Sequence, residues 1–151
     1  MLNPGTAAPA FTLQDQNGEL RSLADYSGQR VILYFYSRDM TSGCTKQACG
    51  FAELYPQFTE KDAVVIGISK DSAESHRKFA EKYSLPFVLL SDPELDAIRA
   101  YDVWKEKMNY GKPVMGVVRT TYLIENGVIT KAFGKVKAAD NPAQMLRELE
   151  S

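Results

Sequence analysis

Two short apolar runs, Val31-Ile-Leu-Tyr-Phe-Tyr36 and Ala63-Val-Val-Ile-Gly-Ile-Ser69, constrain this chain more than anything else in it. Neither run alternates polar and apolar residues. Unbroken rows of β-branched and aromatic side chains suit strands covered on both faces, as in the middle of a parallel sheet. Between the runs, Cys44, Ala48, Phe51, Ala52, Tyr55 and Phe58 recur at helical spacing and predict a helix with a core-facing stripe. Strand, helix and strand in this order make a parallel crossover.

The flanking segments extend the pattern. Residues 11–14 and 19–22 flank Asn17-Gly18, a dipeptide suited to the positive φ of a tight hairpin. Asp71 with Glu74 reads as a capping box opening a helix that runs to about Tyr83. Residues 85–90 read as a short strand with Pro86 at its start, where no ladder donor is lost. Asp92-Pro93 then caps a helix that turns Leu95, Ile98 and Tyr101 inward. Lys105, Lys107 and Lys112, interrupted by Glu106, read as a solvated loop. Residues 119–124 and 128–133 flank Glu125-Asn126-Gly127 as a second hairpin, and Asn141-Pro142 opens a last helix with Pro142, Met145, Leu146 and Leu149 on one face. The order predicts an α/β chain of thioredoxin-like fold with an N-terminal β-hairpin extension, residues 1–151 forming a single domain.

Charge excludes some function classes. A net charge of −1 leaves no electrostatic footprint for nucleic acid, and no basic cluster suits an anionic membrane surface. The first twenty or so residues lack the charged-then-apolar order of a secretory signal, and the longest apolar run is far too short to span a bilayer. A soluble, cytoplasmic protein is therefore expected. In a reducing compartment, two cysteines five positions apart read as redox-active or metal-binding rather than as a structural staple. Two cysteines and one distant histidine, His76, do not make the four ligands zinc prefers. His76 shares a helical face with Phe79, Ala80 and Tyr83 and reads as a boundary residue of structural role. Trp104 and the tyrosines read as packing residues, with Trp104 also able to line a pocket.

Cys44 sits where the loop after the first apolar run becomes a helix. A thiol in a first helical turn faces unpaired backbone N–H groups and the positive end of the macrodipole, and both favour thiolate. A free cysteine is only ~3% ionised at neutrality, and making it roughly nine-tenths thiolate takes about 3.4 kcal/mol of differential stabilisation. A helix terminus contributes about 0.3–1 kcal/mol, so a cation is expected beside the sulfur.

The run Tyr34-Phe-Tyr-Ser-Arg-Asp-Met-Thr-Ser-Gly-Cys-Thr-Lys-Gln-Ala-Cys-Gly-Phe51 resembles the active-site segment of the peroxiredoxins, and most of all their bacterioferritin-comigratory-protein branch, also called PrxQ. The resemblance continues through Val65-Ile-Gly-Ile-Ser69, Leu89-Leu-Ser-Asp92, Gly111-Lys112 and Val118-Arg-Thr-Thr-Tyr-Leu-Ile124, and so covers nearly the whole chain. It implies a thioredoxin-dependent peroxidase that reduces hydrogen peroxide and organic hydroperoxides without a metal or organic cofactor, as a monomer or weak homodimer. By position, Cys44 matches the peroxidatic cysteine and Cys49 the resolving cysteine of this branch. Thr41 matches the threonine whose hydroxyl contacts the peroxide, and Arg119 matches the arginine that closes the pocket and supplies the missing cation. The backbone N–H groups of Gly43 and Cys44 are further candidate donors. Thr41 also suits a helix N-cap, a role compatible with the first.

Two details sharpen the reading. Five positions along a regular helix put two Cα atoms about 8.7 Å apart, whereas a disulfide needs about 4.4–6.8 Å. Closing Cys44 on Cys49 is therefore expected to unwind residues 45–50 locally, with Gly50 easing the opening. The chain also departs from the family pattern. Serine stands at 37, and again at 42, where the family carries proline. Serine frees φ and adds a hydroxyl, so slower chemistry or greater exposure to over-oxidation is expected. Two other functions share the fold. A disulfide oxidoreductase uses two cysteines with two residues between them, against four here. A copper carrier wants a histidine near its thiols, which His76 does not supply by sequence position.

Overall fold

The computed structural model describes residues 1–150. The chain begins with the predicted hairpin, in which Thr12–Gln14 (β1) pairs antiparallel with Leu20–Ser22 (β2). Gly18 takes φ 77° in the turn, and the Asp15 carboxylate accepts the Asn17 and Glu19 amides at 2.8 and 3.0 Å. After a 3₁₀ turn at Leu23–Tyr26, the first apolar run forms Arg30–Phe35 (β3). Ser42–Glu60 (α1) then crosses over to Ala63–Ser69 (β4), and Ala73–Tyr83 (α2) crosses over to Val88–Ser91 (β5). A short helix, Asp96–Ala100 (α3), leads to Trp104–Asn109 (β6) and Lys112–Val117 (β7). Thr120–Glu125 (β8), Val128–Phe133 (β9) and Asn141–Glu150 (α4) close the chain.

Seven strands make one sheet in the order β2-β1-β5-β4-β3-β8-β9. β3, β4 and β5 run parallel, and β8 and β9 add antiparallel. β3 is central and buried along its length apart from Arg30, as its lack of alternation requires. Its side chains feed two cores. Ile32, Tyr34 and Tyr36 pack with Cys44, Ala48, Phe51 and Phe58 of α1, Phe79 of α2, and Met145 and Leu149 of α4. Val31, Leu33 and Phe35 pack on the other face with Ile98 and Tyr101. This is the thioredoxin-like arrangement expected, with the β1–β2 hairpin added at the β5 edge. The predicted second hairpin holds too: Asn126 and Gly127 take φ 53° and 75°, the two-residue turn that matches strand twist.

Four local expectations are corrected. Ser72, rather than Asp71, caps α2 by accepting the Ser75 amide at 3.1 Å, because the Asp71 carboxylate is turned to the Asp39 amide and the Ser69 hydroxyl. Asp92 does cap α3, but from outside it, accepting the Asp96 and Ile98 amides while Leu95 takes the left-handed position at φ 63°. The stretch around Lys105 and Lys107 is no loop. β6 and β7 form a two-stranded arm whose turn residues Tyr110 and Gly111 both have positive φ. His76 is not at a boundary, because it is fully buried.

Candidate active site

β3 ends at Phe35, and a loop of residues 36–41 carries the chain over the sheet's edge to the start of α1. Thr41 stands at the N-cap in extended conformation, its hydroxyl donating to the Arg38 carbonyl at 2.9 Å and accepting no helix amide. Cys44 lies in the first turn and is 1% exposed. The Arg119 guanidinium, from the link between β7 and β8, donates through Nη2 to Sγ at 3.3 Å. Ser37 Oγ lies 3.6 Å from the same sulfur. The cation demanded by the sequence argument is therefore in contact with the thiol.

Burial pushes the Cys44 thiol up, yet its pKa is held below the ordinary thiol value. The Thr41 hydroxyl, the Arg38 amide, the Ser37 hydroxyl and the charge on Arg119 outweigh the desolvation. Thr41 has one hydroxyl proton, and an ionised Cys44 competes for it with the Arg38 carbonyl; a charged acceptor makes the stronger bond. Cys49 lies further along the same unbroken helix, half-buried, and burial alone pushes its thiol up. Both thiols are free. The structure thus brings Cys44, Arg119, Ser37 and Thr41 together and leaves Cys49 apart, so that one cysteine is favoured as thiolate and the other as thiol.

Two buried residues that sequence reasoning passed over complete the site. Arg119 Nη1 donates to Gln47 Oε1 at 2.6 Å, and Gln47 Nε2 donates to Asn141 Oδ1 at 2.9 Å. The Thr121 hydroxyl donates to the same Asn141 oxygen at 2.8 Å. Gln47 and Asn141 are both fully buried, so each of these bonds orients its neighbour in a medium where leaving one unmade is costly. The available signal was a glutamine three positions after Cys44, on the apolar face of α1. Two glycines make room for the arrangement. A Cβ at Gly43 would meet Arg119 Nη2 at 3.3 Å, and one at Gly50 would meet Pro142 Cγ at 2.8 Å. Gly50 therefore lets the start of α4 close on α1, which brings Asn141 to Gln47.

A cleft of about 510 Å³ shares Ser37, Arg38 and Thr41 with these surroundings and is completed by Lys70, Asp71, Lys107, Gly116 and Val117. The β6–β7 arm supplies the last three of these. Burial and the like charge of Arg119 lower the Lys107 pKa, while Cys44 acts the other way. Trp104, at the root of the arm, packs against the core and carries the Lys70 ammonium 5.6 Å from its ring centroid.

The Ser37 hydroxyl lies within reach of the sulfur and can donate to it once it is ionised, so its effect is testable. Ser37→Ala is expected to raise the midpoint pH of Cys44 alkylation by about half a unit, the size of one weak hydrogen bond. Reactivity is present above the midpoint and is lost as pH falls through it. An unchanged midpoint would show that the hydroxyl does not contact the thiolate.

The sequence profile of the AhpC/TSA family matches residues 4–132 of the chain. The chain belongs to the AhpC/TSA family. Within it, this peroxiredoxin is 48% identical over 147 residues to peroxiredoxin Bcp of Bacillus subtilis, covering 97% of this chain and 94% of that protein. Peroxiredoxin Bcp of Escherichia coli is 40% identical over 150 residues, covering 99% and 96% of the two. Among solved structures, Xylella fastidiosa PrxQ superposes with a TM-score of 0.93 at 34% identity, covering 99% of this chain and 96% of that one. The Xanthomonas campestris bacterioferritin comigratory protein, studied for alkyl peroxide reduction, superposes with a TM-score of 0.88 at 36% identity, covering 93% and 90%. This peroxiredoxin is thus of the Bcp/PrxQ branch and is a thiol-dependent peroxidase. No helix among its described residues is long and apolar enough to cross a membrane.

Proposed function

We propose that this peroxiredoxin reduces hydrogen peroxide and organic hydroperoxides at Cys44, resolves the product with Cys49, and is returned to the dithiol by thioredoxin or a similar dithiol reductant in the cytoplasm. The observation that carries the reading is the Arg119 guanidinium at 3.3 Å from a sulfur that is itself 1% exposed in the first turn of α1. The Cys44 thiolate attacks one peroxide oxygen. The S–O bond forms as the O–O bond breaks, and the departing oxygen leaves with the bonding pair and takes up a proton as water or alcohol. Sulfur is oxidised by two electrons and the peroxide is reduced by two. Arg119 and the Thr41 hydroxyl are placed to hold the negative charge that moves onto the departing oxygen.

The Cys44 sulfenic acid then meets the Cys49 thiol. The S–S bond forms, the S–O bond breaks and water leaves. Both cysteines stand in one unbroken helix in the dithiol form, so residues 45–50 unwind for the bond to close. A disulfide form that kept α1 helical from Cys44 through Cys49 would overturn this step. The site needs no residue from a second chain, which fits a monomer or weak homodimer, and the reading takes residues 1–151 as one thioredoxin-like domain.

Steady peroxide consumption coupled to thioredoxin and its reductase tests the cycle. Cys49→Ser is expected to consume about one equivalent of peroxide per chain and then stall, unless a small thiol is added to replace the resolving group. Full turnover by Cys49→Ser with thioredoxin alone would show that Cys49 does not resolve.

A further inference from the structure

His76 and Asp39 take no part in the cycle just described, although Asp39 belongs to the loop that builds the site and both are buried. His76 lies in the first turn of α2, fully buried. Its Nδ1 is 2.7 Å from Asp39 Oδ2, and its Nε2 is 3.0 Å from the Leu90 carbonyl oxygen. Both partners are acceptors. A neutral imidazole has a single N–H, so satisfying both contacts requires one more proton on the pair. Asp39 Oδ1 accepts from the Tyr36 hydroxyl at 2.6 Å, and Oδ2 also accepts from the Ser75 hydroxyl at 2.7 Å. The Tyr36 and Ser75 hydroxyls thus both donate to Asp39, and His76 closes the cluster from α2. The other groups nearby are the Tyr36 hydroxyl, 3.4 Å from Nδ1, and the Asp71 carboxylate, which accepts the Asp39 amide at 2.9 Å. Asp39, Asp71 and His76 bring ligand atoms within 4.8 Å of one another. Both ring nitrogens and both Asp39 oxygens already have hydrogen-bond partners, which marks a clamp rather than a seat for an ion.

What the clamp holds is the loop. Asp39 lies in its middle, and the Ser37 hydroxyl, the Arg38 amide and the Thr41 hydroxyl all come from within two residues of it. Only Arg119, among the groups that favour the Cys44 thiolate, arrives from elsewhere. We propose that His76 is a positioning residue for the peroxidase reaction: bridging Asp39 and the Leu90 carbonyl, it ties the Cys44 loop to α2 and β5 and keeps the loop's donors aimed at the sulfur. This rests on Cys44 being the nucleophile.

Two measurements on the full chain test it. His76 is the sole histidine, so its ring gives one set of nitrogen resonances. In the reduced protein both nitrogens are expected to show the shifts of hydrogen-bonded ring nitrogens, and a ring with either nitrogen free of a hydrogen bond would overturn the proposal. The second measurement is the pH profile of Cys44 alkylation. His76→Gln keeps one donor but cannot bridge both acceptors, and Asp39→Asn keeps the side chain's shape without its charge. Each is expected to raise the midpoint by about one pH unit, with a roughly tenfold fall in the peroxide rate constant at a pH below it. Wild-type midpoints in both folded variants would overturn the proposal. If the wild-type midpoint itself equals that of a free thiol, the reading of Cys44 fails instead. Should one variant not fold, the other variant and the ring resonances still decide.

Discussion

Replacing Cys44 with serine is expected to take peroxide consumption down to the uncatalysed background, a loss of at least ~10⁴-fold, while the fold stays intact. The two side chains are close to isosteric, so the cores on either side of β3 lose little packing. The chemistry, in contrast, loses its nucleophile. A serine hydroxyl gains no useful ionisation from the donors that hold the Cys44 thiol down, and oxygen does not take an oxygen atom from a peroxide as sulfur does. The measurement is peroxide consumption in the thioredoxin-coupled assay, with circular dichroism to confirm the fold. Residual turnover above a few per cent would move the reaction away from this sulfur. Insulin reduction without peroxide turnover by the wild-type chain would point instead to a disulfide reductase.

Arg119→Met is expected to cost about 10²–10³-fold in the second-order rate constant for peroxide, the scale of losing one preorganised donor at a developing oxyanion. Two effects add. The guanidinium contacts the sulfur at 3.3 Å, so its loss raises the Cys44 pKa and shrinks the thiolate fraction below the new midpoint. It also removes the charge facing the departing oxygen, a loss that persists above the midpoint. Measuring the rate across pH separates the two: raising the pH restores the first and leaves the second. Arg119→Lys keeps a charge but lacks the planar fork that reaches Gln47 and Cys44 through separate nitrogens, so it should fall between the wild type and the methionine variant. A methionine variant within threefold of wild type at every pH would remove Arg119 from the mechanism.

The parts of this structure that sequence revealed are those where one physical rule acted alone. Residues 31–36 and 63–69 had to be covered on both faces because they show no alternation, and both are central strands. Glu125-Asn126-Gly127 read as the connection of a hairpin, and Asn126-Gly127 is its turn, with Glu125 taken into β8. The β6–β7 arm escaped because its strands face solvent on both sides, so Lys105-Glu106-Lys107 carries no buried period to read. Its Tyr110-Gly111 turn was the only local sign. At the site, a thiol in a first helical turn needs a cation to ionise, and Arg119, matched from the separate segment 118–124, contacts the sulfur, whereas Ser37 read only as a missing proline. Gln47 and Asn141 were hidden because their roles depend on α1 meeting α4, a contact between residues 94 positions apart. His76 was misread because helical periodicity gives a residue's direction, not its depth.

The hydrogen-bond chain from Asn141 through Gln47 to Arg119 runs through the stretch of α1 between Cys44 and Cys49. Under the proposed resolution that stretch unwinds, Gln47 is carried away with it, and the guanidinium loses its tether. The disulfide in that scheme has no thiolate to attack further oxidant, and the grip that would orient the next peroxide is loosened at the same time. Forming the S–S bond thus acts as an interlock. In that scheme, destructive second oxidation of the sulfur is confined to the interval between the first oxygen transfer and closure of the S–S bond.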